Sequence, residues 1–128
     1  MQSVKVITAI DAVTATTVSS KIWIGDYKRV ALLYRRANNA GGTSTFTVKA
    51  GFAQLASDSP TMTAYNMLID NLTNTNAQMP VRLNSKAIAN ADGDVMVWMV
   101  PDAPATHIEI TATETTDGTH SAFVIGFM

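Results

Sequence analysis

The feature that most constrains this chain is the regular recurrence of turn signals between short segments rich in Thr and Val. These signals lie at Gly25-Asp26, residues 38–42, residues 58–60, Asp92-Gly93 and Asp117-Gly118. Thr and Val favour the pleated surface of a sheet, whereas Glu, a strong helix former, occurs only at Glu109 and Glu114. The pattern predicts an all-β fold, an antiparallel β-sandwich or jelly roll of roughly eight strands, in one domain spanning residues 1–128.

The segments between the turns are the predicted strands. They cover residues 4–10, 21–24, 28–36, 44–55, 95–100, 106–115 and 120–127. The segments 28–36 and 95–100 are apolar on both faces, which is typical of a central strand or of one covered by a partner. Residues 61–78 fit either a strand or a helix, and we favour a strand to about residue 70 followed by a polar loop.

Two of the turns predict hairpins. A two-residue turn at Asp117-Gly118 sets Ile108 opposite Phe127 and aligns one wholly apolar face along both arms. Asp92-Gly93 predicts a second, weaker hairpin between the segments on either side of it. The first hairpin is the best determined pairing in the sequence.

Charge is low for a chain of this size. The net charge is -1 and 15% of residues are charged, against roughly 25% in typical domains. Neutral Thr, Ser, Asn and Ala must therefore cover the surface, which favours a protein packed against neighbours over a free monomer. A soluble, Thr-rich β-protein with no partner is the alternative interpretation. The near-neutral balance also argues against a nucleic-acid partner, since no basic face is available to displace counterions.

The absence of cysteine in the sequence excludes disulfides, thiolate metal sites and cysteine nucleophiles. The N-terminal residues lack the basic and apolar regions of a secretory signal. No apolar run approaches the roughly 20 residues that span a bilayer. We therefore expect neither a signal peptide nor a membrane partner.

No residue pattern predicts catalysis or a cofactor. In the predicted hairpin His107 and His120 lie about 26 Å apart, too far to share a metal or a proton, so each is interpreted as a surface or interface side chain. Asp92-Gly93-Asp94 lacks the further oxygen ligands of a calcium loop, and a tight turn explains it. We expect no enzyme activity and no bound metal.

Aromatic side chains offer a different class of function, a glycan or receptor site. A sugar-stacking platform could be built from Trp23, Trp98, Tyr27, Tyr34 and Tyr65. The Trp98 segment is apolar on both sides, which favours a core position. The neighbouring Gly-Asp turn suggests that Trp23 is partly exposed.

Three passages resemble the capsid decoration, or cement, proteins of tailed bacteriophages and related small β-sandwich virion proteins. They are residues 23–33 (WIGDYKRVALL), residues 43–52 (TSTFTVKAGF), and residues 101–110 (PDAPATHIEI) followed by Asp117-Gly118. The first resembles the turn into a central strand, the second a Thr-rich strand after a Gly loop, and the third a closing hairpin. The resemblance implies no catalytic residues.

The resemblance also implies a role and partners. Such proteins oligomerise, often as trimers, and brace the joints between major capsid subunits, so we expect this chain to bind itself and a major capsid protein. We expect it on the capsid surface of a virion, after synthesis in the host cytoplasm, or alternatively in a tail, adaptor or head fibre. The predicted interface residues are Lys28, Arg35, Arg36, Trp23, His107 and Met128.

Overall fold

A computed structural model describes residues 3–38, 41–69, 81–83, 85–89, 92–98, 105–114 and 118–128. The strands are β1 (Val4–Val13), β2 (Thr17–Val18), β3 (Ile22–Trp23), β4 (Arg29–Ala37), β5 (Thr43–Gly51), β6 (Thr63–Ala64), β7 (Met67–Ile69), β8 (Val81–Leu83), β9 (Ser85–Ala89), β10 (Gly93–Trp98), β11 (His107–Glu114) and β12 (Thr119–Phe127). The all-β, antiparallel prediction is confirmed.

The strands form two sheets. In sheet I the order is β1-β12-β4-β10-β7-β8, and in sheet II it is β2-β11-β5-β6. Strand β3 continues β2 along β11, and β9 continues β6 along β5. If β2 with β3 and β6 with β9 are each counted as one strand, and β7 and β8 are left aside, eight strands remain. Numbered along the chain, they have the order 1-8-3-6 in sheet I and 2-7-4-5 in sheet II, which is the strand order of a jelly roll. Strands β7 and β8 widen sheet I beyond these eight.

The two segments predicted as central strands are internal. Strand β4 lies between β12 and β10, and β10 lies between β4 and β7. Both strands turn one set of side chains into the space between the sheets. The buried core there contains Ile10, Ile22, Ile24, Val30, Leu32, Tyr34, Phe46, Val48, Ala50, Met67, Ile88, Val97, Ile108, Ile110, Ala112, Ala122 and Val124.

Both predicted hairpins are wrong. Strand β11 belongs to sheet II and β12 to sheet I, so Ile108 pairs with Ala50 and Ile22, while Phe127 pairs with Val4 and Arg29. Strands β9 and β10 are likewise divided between the sheets. The physical reason is that β12 is apolar on both faces: Ala122 and Val124 face the core, whereas Phe123, Ile125 and Phe127, which the predicted hairpin would bury beside β11, lie on the other face.

The seven predicted strands are found, with ends shifted by a few residues. In the ambiguous segment the strand interpretation is confirmed at β6 and β7, and residues 70–80 lie outside the described residues. The two-residue strand β2 and the three-residue strand β8 were not predicted. The described residues contain no helix of the length and apolar character needed to cross a membrane.

Candidate assembly interface

The outer face of sheet I is apolar, although it turns away from the core. Along β12, Ala122 and Val124 are buried between the sheets, and the alternate side chains Phe123, Ile125 and Phe127 are half-buried on the opposite side. A strand with apolar side chains on both faces is typical of one covered on both sides. The described strands form two sheets, so no further layer of described strands lies over this outer side.

Strand register extends the surface across four strands. Rows of facing residues run Val4–Phe127, Val6–Ile125 and Phe123–Leu33–Met96. The exposed fractions are 54% for Val4, 60% for Val6 and 41% for Met96. We call the set the apolar face; its members are Val4, Val6, Leu33, Met96, Phe123, Ile125 and Phe127.

The apolar face alone is smaller than a complete binding surface. Its seven members stand in strands about 4.8 Å apart and in rows about 6.8 Å apart, and they cover a projected area of about 230 Å². The largest apolar patch on a soluble monomer is about 300–600 Å² and is frequently functional. It is smaller than the roughly 800 Å² that each partner contributes to a standard interface. A complete interface would therefore also include the polar rim.

Arginines border the apolar face at both ends. The Arg29 guanidinium lies 5.8 Å from the centroid of the Phe127 ring, and that of Arg35 lies 5.5 Å from the Phe123 ring. Arg35 also donates to Asp94, with Nε 2.9 Å from Oδ1, and this hydrogen bond lowers the pKa of the Asp94 carboxyl. The predicted rim residue Arg35 thus lies where a partner on sheet I would meet it.

Arg36, by contrast, is not a rim residue. Its side chain is fully buried between the sheets, because on β4 it alternates with the exposed Arg35. The guanidinium donates to the carbonyl oxygens of Gly41 at 2.7 Å and Gly42 at 3.0 Å. The prediction that Arg36 contacts a partner is therefore wrong.

Glu114 is the carboxylate that balances Arg36. Its Oε1 lies 3.4 Å from Arg36 Nη2, and its Oε2 accepts a 2.6 Å hydrogen bond from the Ser44 hydroxyl. His120 is fully buried beside them, with Nδ1 3.4 Å from Oε2 and its ring edge-on to Phe46. These residues come from both sheets, so the cluster joins the two layers at one end of the sandwich.

His107 is buried as well, so the surface interpretation is wrong for both histidines. Its Nε2 lies 3.2 Å from the carbonyl oxygen of Ala56, and its Nδ1 lies 3.0 Å from the Thr106 hydroxyl. Because a carbonyl only accepts, Nε2 carries the hydrogen and Nδ1 accepts from Thr106. The same hydroxyl accepts from the Ala53 amide at 2.8 Å, so these contacts fix the segment that follows β5.

The remaining predicted interface residues divide between the sheets. Lys28 is exposed, and its amide donates to the Phe127 carbonyl at 2.8 Å, which places it beside the apolar face. Met128 is 52% exposed at the end of the same strand. Trp23 is partly exposed as predicted but lies on sheet II, edge-on to His107 with ring centroids 5.2 Å apart. Of the predicted interface residues, only Lys28, Arg35 and Met128 are therefore exposed at sheet I.

The outer face of sheet II has a different character. Thr47 faces Thr111, and Thr45 faces Thr113, in adjacent strands. The next pair on this face is Glu109 opposite Lys49, so the face is rich in Thr and neutral in net charge, as the composition predicts. The structure therefore separates a Thr-rich outer face from an apolar one.

The aromatic side chains do not form one platform. Tyr34 is core, stacked on Phe46 with ring centroids 4.6 Å apart, and Tyr27 packs over Gly126. A shallow cleft of about 290 Å³ lies at the end of β5, between the exposed Phe52 and the half-buried Tyr65. Trp98 is in β10, and the predicted core position of its side chain lies outside the described part of the structure.

Comparison with known proteins shows the fold. The crystal structure of the SPBc2 prophage-derived protein YomS is similar over 100% of this chain and 96% of that chain, with a TM-score of 0.66 and 11% identity. The structure of the infectious bursal disease virus Gx strain matches 100% of this chain and 32% of that chain, at 14% identity and a TM-score of 0.44. The Cyanophage Pam1 capsid asymmetric unit matches 100% and 84%, at 13% identity and a TM-score of 0.30.

The similarity to YomS shows a shared fold. No protein-family model matches the chain, and no curated protein is similar to it. Within the residues that the structure describes, no three acidic or histidine side chains are grouped to hold a metal ion.

Proposed function

We propose that this chain is a structural component of a phage virion, a decoration subunit that binds the outside of the capsid through the apolar face of sheet I. The observation that carries the proposal is the apolar face itself, since burying it against a neighbour removes Val4, Val6 and Met96 from water. A jelly roll shared with a prophage-derived protein supports the phage context. The proposal assigns the chain no catalytic role and no cofactor.

The rim of this surface suits a protein partner. Lys28, Arg29 and Arg35 are exposed around its apolar centre, which is the usual arrangement of an apolar core and polar rim at interfaces. Arginine is enriched at such surfaces because it stacks on aromatic rings and pairs with carboxylates. We propose that this partner is the major capsid protein.

The test uses empty capsid shells assembled from the major capsid protein of the same phage genome. We expect the wild-type protein to co-sediment saturably with the shells and Met96→Glu to bind at least about tenfold more weakly, since 1.4 kcal/mol is a factor of ten and an unpaired buried carboxylate costs more. Val18→Glu is the matched control, because Val18 is 57% exposed on sheet II. Absence of wild-type binding, or equal loss in the two variants, would overturn the proposal.

A glycan-binding role is the second candidate, and the cleft beside Phe52 favours it. An aromatic ring exposed to 65%, in a cleft that Thr61 and Thr63 also line, is a combination that can stack on a sugar ring and bind its hydroxyls. A glycan array with the wild type and Phe52→Ala tests this role. Binding that Phe52→Ala abolishes would support it, and a flat response across the array would exclude it.

A further inference from the structure

Strand β1 is an unusual edge. Within the described residues it pairs on one side only, with β12, and it is 10 residues long. The other edge strands, β2, β3, β6, β8 and β9, have 2 to 5 residues. Proteins blunt exposed edges with short strands, charges or bulges, because an open edge pairs with another strand. The irregularities of β1 begin only after Thr8, so the segment from Val4 to Thr8 is a regular edge.

The register shows which backbone groups this edge presents. Val4 faces Phe127, and the Met128 amide donates to the Ser3 carbonyl at 3.0 Å, so Ser3 and Met128 form a hydrogen-bonded pair. Hydrogen-bonded and non-hydrogen-bonded pairs alternate along an antiparallel ladder. Lys5 and Ile7 therefore bond to β12. The amides and carbonyls of Val4, Val6 and Thr8 point away from it, towards the open edge.

We propose that this edge pairs with the β1 edge of a second copy of the chain, around a two-fold axis at Val6. In that register Val6 faces Val6 of the second copy, and Val4 faces Thr8. All three residues then exchange both backbone hydrogen bonds, which makes six bonds between the copies. The apolar row Ile125–Val6 continues into its counterpart, so the side chains match as well as the backbone.

The expected affinity of this dimer follows from the surface area that it buries. A five-residue ladder is about 17 Å long and, with side chains on both sides, about 10 Å thick, which is a projected area of about 170 Å². Because the surfaces are not flat, each copy buries about twice this area, and the two copies together bury about 700 Å². This is less than the roughly 1,200 Å² at the lower limit of stable interfaces. We therefore expect a dissociation constant on the order of 100 µM, and a dimer that forms only where copies are concentrated. The pairing does not depend on the virion role proposed above.

Charge pairs at Val6 test this geometry. Val6→Glu places two carboxylates opposite each other, and Val6→Lys places two ammonium groups there, so each variant alone should dimerise at least about tenfold more weakly. An equimolar mixture should recover an affinity within about threefold of the wild type, because opposite charges then meet across the two-fold axis. Val18→Glu, at an edge of sheet II, should leave the affinity unchanged.

Analytical ultracentrifugation from about 10 µM to about 2 mM measures these affinities, and far-UV circular dichroism checks the fold. A wild type that stays monomeric throughout, or a mixture no tighter than its components, would overturn the proposal. Amide exchange of the wild type gives a second test that needs no variant. The amides of Lys5 and Ile7 should be protected at every concentration, and those of Val4, Val6 and Thr8 only in the dimer; a Val6 amide insensitive to concentration would also overturn it.

Discussion

Replacing Arg36 by Met is the sharpest test of how the two layers are joined. In the folded protein the guanidinium is fully buried and donates to the Gly41 and Gly42 carbonyls while facing Glu114. Methionine fills a similar volume but donates no hydrogen bond. The substitution therefore leaves two carbonyls and a buried carboxylate without their cationic partner.

The expected decrease in the free energy of unfolding follows from these lost contacts. A buried acceptor that loses its partner costs about 1–3 kcal/mol, and breaking a buried ion pair from one side costs about 3–5 kcal/mol. The terms overlap because one guanidinium serves all three groups, so we expect Arg36→Met to lower the free energy of unfolding by about 4 kcal/mol. With a urea dependence of about 2 kcal/mol/M, the unfolding midpoint falls by about 2 M.

Urea unfolding followed by tryptophan fluorescence and circular dichroism measures this change. Arg35→Met is the matched control, since Arg35 precedes Arg36 on β4 but is exposed, and its midpoint should stay near that of the wild type. A loss below about 1 kcal/mol in Arg36→Met, or an equal loss in both variants, would refute the claim that Arg36 is a buried brace.

Two further predictions concern packing and pH. Gly126→Ala should lower the free energy of unfolding by about 1–3 kcal/mol in the same assay, because an added Cβ would lie 2.5 Å from the Tyr27 ring. Gly93→Ala is the control, because a Cβ added there meets nothing within 4 Å. Equal effects of the two substitutions would contradict the packing argument. The hydrogen bond from Arg35 lowers the pKa of Asp94 in the folded state, so the stability it contributes is present above the unfolded pKa of about 3.9 and lost as the pH falls through the folded value. Carboxyl NMR titration should show a higher Asp94 pKa in Arg35→Met, and an unchanged value would assign the shift to another cause.

Much of the secondary structure could be predicted because strand signals are local. The alternation of Val30, Leu32 and Tyr34 marks a buried face whatever the strand pairs with, and β4 buries all three. The double-sided apolar pattern also marked β4 and β10 as internal strands. Strand β12 carries the same pattern, and it is the signal that could have identified the apolar face.

The candidate site was predicted less well. Lys28, Arg35 and Met128 lie around sheet I, but Arg36, His107 and His120 are buried. Their polar groups face the Gly41 carbonyl, the Ala56 carbonyl and the Glu114 carboxylate, respectively. A charged or imidazole side chain is expected at the surface unless such partners exist. No local pattern indicates that Glu114, on the opposite sheet, completes the cluster around Arg36.

The sequence by itself determined that the chain forms short antiparallel strands, that two of them, β4 and β10, are internal, and that the chain carries little charge. Only the tertiary structure decided which strands pair. In a jelly roll the segments on either side of Asp117-Gly118 enter different sheets, and their apolar faces meet across the core instead of lying side by side. The predicted hairpin would bury Phe123, Ile125 and Phe127, whereas β12 in the structure buries Ala122 and Val124. Because β12 is apolar on both faces, hydrophobic alternation cannot distinguish the two arrangements. The choice depends on contacts between distant strands, and these contacts leave Phe123, Ile125 and Phe127 on the outer face.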